Sequence, residues 1–249
     1  MPAFNSSNSP LSLQAYRYTA EFTGTAWAWE YLRRNPLYRA QFTKRDRAEI
    51  SDWPLLRFED PELDARHADV FWQPSVCKHV LPLIASARPK GDEGQRLSWD
   101  KLHCRMVVHD AVEYRHVLFT EHGRALQIVA AGYIDLQNAT LLTPVLAPPQ
   151  LRSVRLLAIR RFSDLMLHGY LRPPLYRPEN RAQRLAQILL ALDASLAGVH
   201  HRDIAIALFG QTRVDRDWHH PHNYLRDHIR RAIAYGRDLM NGGYVKFLR

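Results

Sequence analysis

The sequence has no run of about 18 consecutive apolar residues, the least that a membrane-crossing helix requires, so no transmembrane helix is expected. It opens without a basic segment leading into an apolar core, which argues against a secretory signal. Only two cysteines, Cys77 and Cys104, occur in 249 residues. Two isolated cysteines make no disulfide framework, and a reducing cytoplasm is the expected setting. Catalytic signatures are missing too: no phosphate-binding G-x-x-x-x-G-K-[ST] loop, no G-x-S-x-G elbow, no H-E-x-x-H helix. The reading is of a non-enzymatic protein that needs no cofactor. No internal repeat or low-complexity run interrupts the chain. Its aliphatic and aromatic residues are spread throughout, and 46% of the residues are apolar, enough for a proper core.

Acidic residues are scarce in one half only. Residues 151–249 hold 17 Lys and Arg against 8 Asp and Glu, whereas residues 1–150 hold 17 of each. The whole net charge of +9 therefore sits in the C-terminal part. That asymmetry points to a polyanion-binding half joined to a neutral half.

Residues 1–20 are rich in Ser, Asn and Pro and read as a flexible arm. In the next stretch Trp27, Tyr31 and Arg34 share a helix face, and Asn35-Pro36 ends that helix because the residue before proline avoids the α region. A second short helix is expected from Leu37 to about Ile50. Four of the six tryptophans fall before residue 75. No basic cluster interleaves them, so they read as core residues of an aromatic helical module over 21–87. The polar stretch 88–95, marked by Gly and Pro, reads as a linker. From there the period changes. Met106–Val108, Tyr114–Thr120, Ala125–Ala131 and Thr140–Leu146 are short apolar or alternating runs separated by turn residues, the pattern of a small antiparallel β-meander. Helices follow over Leu151–His168 and from Pro178 to Gly198, the second with Leu185, Ile188, Leu189 and Leu192 as its buried stripe. The expected fold class is α+β, with the meander and the C-terminal helices forming one domain over 96–249.

The last stretch carries the functional signal. A short helix from Arg202 to Phe209 stops at Gly210, and a long helix opens near Pro221 and runs to Met240. At about 100° per residue, Leu225, Ile229, Ala232, Ile233, Gly236 and Met240 share one face of that helix. Asn223, Arg226, Arg230, Arg231 and Arg237 occupy the opposite half. One face is built to dock on a core and the other to meet something negative. Such a pair reads as a helix-turn-helix variant whose second helix enters the major groove of double-stranded DNA. Asn223 suits adenine, and Arg226 and Arg230 suit guanine, each through a bidentate pair. Arg231 and Arg237 point toward the flanks, where they would hold phosphates. The connection of roughly ten residues between the helices exceeds the 3–4 of the compact motif; Val214 and Trp218 would tie it down as an extra helical turn. The histidines at 200, 201, 219, 220 and 222 cluster without metal-ligand spacing, so no metal site is expected.

These residues also resemble a known family. The run His201-Arg202-Asp203-Ile204-Ala205 with Leu208-Phe209-Gly210 carries part of the likeness. Leu225-Arg226, Ile229-Arg230-Arg231, Gly236 and Leu239-Met240 with Gly242-Gly243-Tyr244 carry the rest. Together they resemble a proteobacterial helix-turn-helix-variant domain. It is found in FseA-type activators and QseM-type antiactivators of integrative and conjugative element excision. The segment from Trp29 to Tyr38, with Arg33-Arg34-Asn35-Pro36 at its centre, resembles the small regulator module that precedes it in the activators. The resemblance implies a cytoplasmic transcription activator of excision and transfer genes. Its DNA-facing residues would be Arg226, Arg230 and Arg231, with Arg202 on the scaffold helix. RNA polymerase and an antiactivator protein are the further partners expected. The alternative is an antiactivator in which the same basic face docks on another regulator; the N-terminal module favours the activator.

Overall fold

The computed structural model describes residues 11–45, 49–86, 99–111, 114–131, 141–144, 152–218 and 224–249. In chain order the elements are α1 (Gly24–Leu32), α2 (Pro36–Thr43), β1 (Leu81–Ser86), β2 (Arg105–Asp110), β3 (Tyr114–Glu121), β4 (Arg124–Ala131), β5 (Leu141–Pro144) and α3 (Arg152–His168). They are followed by α4 (Ala182–Leu196), α5 (His201–Phe209), α6 (Gln211–Asp217) and α7 (Tyr224–Met240). The protein is mixed α+β, as the sequence predicts. The chain forms two compact units. One comprises residues 1–43, 60–63 and 178–247, and the other residues 44–59, 64–177 and 248–249.

The first unit is helical. From Ala26 to Leu32, α1 is buried on every side, the mark of a helix at the centre of a core. Tyr31 lies 6.2 Å from Trp27 and 6.3 Å from Phe247, ring centroid to ring centroid, and Trp29 meets Tyr38 edge-on at 5.8 Å. The buried stripe of α4 packs against that of α7. There the absent side chain of Gly236 permits close approach, because a Cβ would lie 3.0 Å from Leu192 Cβ and 3.3 Å from Ile188 Cγ2. The flexible arm expected over residues 1–20 is corrected from Leu13 to Thr19. These residues form a 3-10 turn with Tyr16 buried, because the Tyr16 hydroxyl donates to Asp193 Oδ2 at 2.8 Å.

The Arg33-Arg34-Asn35-Pro36 run belongs to this core. Arg34 is buried and forks onto Asp193 of α4, with Nε 2.6 Å from Oδ1 and Nη2 2.9 Å from Oδ2. Its Nη1 reaches Glu30 Oε2 at 2.7 Å. Burial acts to lower the Arg34 pKa, but the Asp193 and Glu30 carboxylates outweigh it and hold the guanidinium well above its ordinary value. Arg33 bonds Glu30 as well, at 2.9 Å, and the carbonyl of Pro61 at 3.0 Å. Asn35 caps two helices at once. Its Oδ1 accepts from the backbone N–H groups of Leu37 and Tyr38, and its Nδ2 donates to the Met240 carbonyl at 3.1 Å. Pro36 follows as the first residue of α2, where its missing N–H leaves no helical bond unmade.

The second unit is built on a five-stranded sheet in the order β2-β3-β4-β1-β5. β2, β3 and β4 form the expected antiparallel meander, turned at His122-Gly123, where both residues have positive φ (49° and 79°) as a two-residue hairpin demands. The fourth expected strand does not continue the meander. β1 lies parallel to β4, with Leu81 opposite Ile128, and β5 pairs antiparallel to β1. A segment assigned by sequence to the aromatic helical module thus forms a strand inside the sheet, which is mixed rather than purely antiparallel.

One sheet face, with Val117, Phe119, Leu126 and Ile128, packs on Ala158, Phe162 and Leu165 of α3. On the other face Gln127 bonds both the N–H and the carbonyl of Trp72 at 2.9 Å, in the manner of a strand partner. Gly169 terminates α3 with φ 79°, and a Cβ there would stand 2.2 Å from the Lys101 carbonyl oxygen. Gly169→Ala therefore combines a left-handed backbone with a collision against main chain. Thermal unfolding should register a loss of about 2–3 kcal/mol; a loss below about 0.5 kcal/mol would show that the loop yields freely.

Candidate nucleic-acid interface

Helices α5, α6 and α7 build the basic surface of the helical unit. α5 anchors itself through Ile204 and Ala205, both buried. Gly210, at φ 85° and ψ 152°, ends α5 and opens α6 in a single residue. Its N–H bonds the Ile206 carbonyl at 2.8 Å, and its carbonyl accepts from Val214 at 3.2 Å. The connection expected to be a long turn with an added helical turn contains a seven-residue helix of its own. Val214 is fully buried and fastens it to the core.

α6 is balanced in charge. Gln211 and Arg202 both bind Asp215, and Arg213 and Arg216 both reach Asp217, the latter at 2.7 Å. α7 is not balanced: it carries Arg226, Arg230, Arg231 and Arg237 against Asp227 and Asp238. Its buried residues are Leu225, Ile229, Ala232, Ile233, Gly236, Leu239 and Met240, the face expected with Leu239 added. The opposite half is open to solvent at Arg230, Arg231 and Arg237. For a polyanion, α7 is the stronger element of the three.

The expected site residues fall into distinct environments. Arg202 is paired with Asp215 across α5 and α6. Arg226 is half-buried, and its Nε is enclosed without a hydrogen-bond partner. Arg230 pairs with Asp227 one turn back and keeps 63% of its side-chain surface exposed. Arg231 donates from Nε to the Asp227 carbonyl at 3.3 Å, which leaves its other guanidinium donors outward. Arg237 bonds Ser195 Oγ of α4 at 3.2 Å. Asn223 lies outside the described residues, as do the histidines at 219, 220 and 222.

At about 100° per residue, Arg226, Arg230 and Arg237 occupy one flank of α7, and Tyr224, His228 and Arg231 the other. The second flank holds residues that sequence reasoning missed: His228, against Phe209 of α5, with Arg213 of α6 over the same ring. No periodicity signals that convergence of three helices. Burial, then repulsion from Arg231, Arg184 and Arg213, holds the His228 imidazole below its ordinary pKa. Among the described residues no group of three or more His, Cys, Asp or Glu side chains could hold a metal ion, and no helix is long and apolar enough to cross a membrane.

Residues 143–249 match a family model described as "T6SS, Transcription factor, DNA binding domain". Residues 11–65 match one described as "Proteobacterial transcriptional regulator-like domain". No curated protein matches the chain. The first match takes in all of α5, α6 and α7, and the second the Arg33-Arg34-Asn35-Pro36 run.

Proposed function

We propose, on the premise that these matches indicate a transcriptional regulator with a DNA-binding domain and no enzymatic role, that α7 reads double-stranded DNA in the major groove in a sequence-specific manner. The observation that carries this reading is α7 itself: one face closed on α4, the other carrying four arginines within a matched DNA-binding domain. Arg226 and Arg230, with Asn223, are the base-reading candidates, and Arg231 and Arg237 hold the flanking phosphates. Arg202 supports the surface from α5. The protein acts as an activator, and the likeness to FseA-type proteins supports excision and transfer genes of a mobile element as its targets. RNA polymerase and an antiactivator are its protein partners under this reading.

Retardation and footprinting on DNA flanking the gene test it. Binding should protect a discrete site and weaken steeply with salt, by about one decade of affinity per decade of salt for each phosphate neutralised. Affinity that ignores salt, or that ignores sequence in the presence of competitor DNA, would overturn the reading. In an antiactivator the same face would bind a second regulator and leave the promoter fragment unshifted.

A further inference from the structure

The flank of α7 that carries His228 has a use beyond base reading. His228 is half-buried and edge-on to Phe209, with centroids 5.2 Å apart, and 6.3 Å from the ring of exposed Tyr224. The Arg213 guanidinium of α6 lies 5.3 Å over the same Phe209 ring. Arg231 follows one turn along α7, on the same flank. Helices α6 and α7 thus bring cations to the Phe209–His228 edge. Asp217 lies 3.8 Å from Arg213 and bonds Arg216, Asp215 takes Arg202, and Asp227 takes Arg230. Gathered like charge is unfavourable until an anion with several acceptor oxygens arrives, and a phosphate diester is such an anion.

Resting on the reading of α7 as the DNA-facing helix, we infer that Arg213, Arg231 and His228 form a clamp for one backbone phosphate, and that His228 takes up one proton from solvent as that phosphate docks. The sign follows from the geometry. Burial, then the neighbouring arginines, hold the free imidazole below its ordinary pKa. The phosphate supplies the negative charge that favours imidazolium. Affinity for DNA therefore rises as pH falls through the window between the free and bound pKa values, and is level on either side of it.

The test is anisotropy of a short mixed-sequence duplex at low salt, measured from about pH 8 to about pH 6. Wild-type affinity should rise several-fold across this range. His228→Gln should flatten the profile. Arg213→Ala with Arg231→Ala should weaken binding equally for all sequences and reduce the salt slope by about 1. In wild-type protein, NMR titration of His228 should show a higher pKa with duplex than without, a readout that needs no variant to fold. An identical pH profile in His228→Gln, or an unchanged salt slope in the double variant, would overturn the clamp. Inorganic phosphate should compete no better than chloride at equal ionic strength; stronger competition would make free phosphate the ligand instead. Failure of the functional reading itself looks different: wild-type protein then binds no duplex at any pH.

Discussion

Replacing Asp193 with alanine is expected to destabilise the helical unit by about 3–5 kcal/mol. The substitution removes both acceptors of the Arg34 fork and the acceptor of the Tyr16 hydroxyl. Arg34 would remain buried with Glu30 alone, and Glu30 already serves Arg33 and Tyr18. An uncompensated buried cation is far worse than a missing contact, because its lost hydration is no longer repaid. Against a typical total stability of about 5–15 kcal/mol, such a loss is a large fraction of the whole. Urea unfolding followed by the fluorescence of Trp27 and Trp29 would measure it. Asp193→Asn should cost less, since one oxygen still accepts. Arg34→Met combined with Asp193→Leu removes both charges and should recover much of the loss, as apolar replacements of buried pairs do. A loss under about 1 kcal/mol in Asp193→Ala would place the stability of this unit in its aromatic packing instead.

The second large effect concerns binding. Arg226→Ala together with Arg230→Ala should lower affinity for the specific site by about 2–6 kcal/mol, taking each bidentate arginine–guanine pair at about 1–3 kcal/mol. Arg230 must first leave Asp227, but it is largely exposed, so that pairing holds it weakly. Arg226 is already half-enclosed, and its Nε lacks a protein partner, so it enters the complex with little freedom left to lose. Lysine at both positions separates charge from geometry. It keeps the electrostatic part of binding and loses the planar fork, so non-specific affinity should persist while discrimination between sites collapses. Retardation with specific and scrambled fragments gives both numbers, and circular dichroism confirms that the helices remain. Normal specific binding by the double alanine variant would remove α7 from base reading.

The sequence announced the helices of this surface more clearly than their companions. The buried stripe of α7 and the stop at Gly210 follow from apolar spacing and one glycine, both local signals. In α6 the sequence signals no more than an added helical turn, because its only buried residue is Val214 and most of the rest are charged. Its helix rests on that one burial and on the i,i+4 pairs Gln211–Asp215 and Arg213–Asp217. β1 escaped notice for a different reason. It is short, contains Pro82, and finds its partner β4 more than forty residues later, a pairing that leaves no trace in local periodicity. The site divides in the same way. The basic half of α7 was legible. The enclosure of Arg33 and Arg34, and the meeting of His228 and Arg213 on Phe209, were not, because both depend on contacts between separate elements.

The division of the helical unit across the sequence sets an order of events during synthesis. Residues 11–43 leave the ribosome before the sheet, yet the partners of Tyr31 and Arg34 on α4 are translated only after it. The nascent N-terminal helix must wait in water with its aromatic faces bare, a state that invites chaperones or aggregation. A fragment cut at the limits of the DNA-binding match, 143–249, would face the converse problem. Asp193 would be left without Arg34, and the Met240 carbonyl without Asn35. The basic surface of α7 therefore matures late, when the helix has emerged as far as Met240 and Asn35 can close on its end.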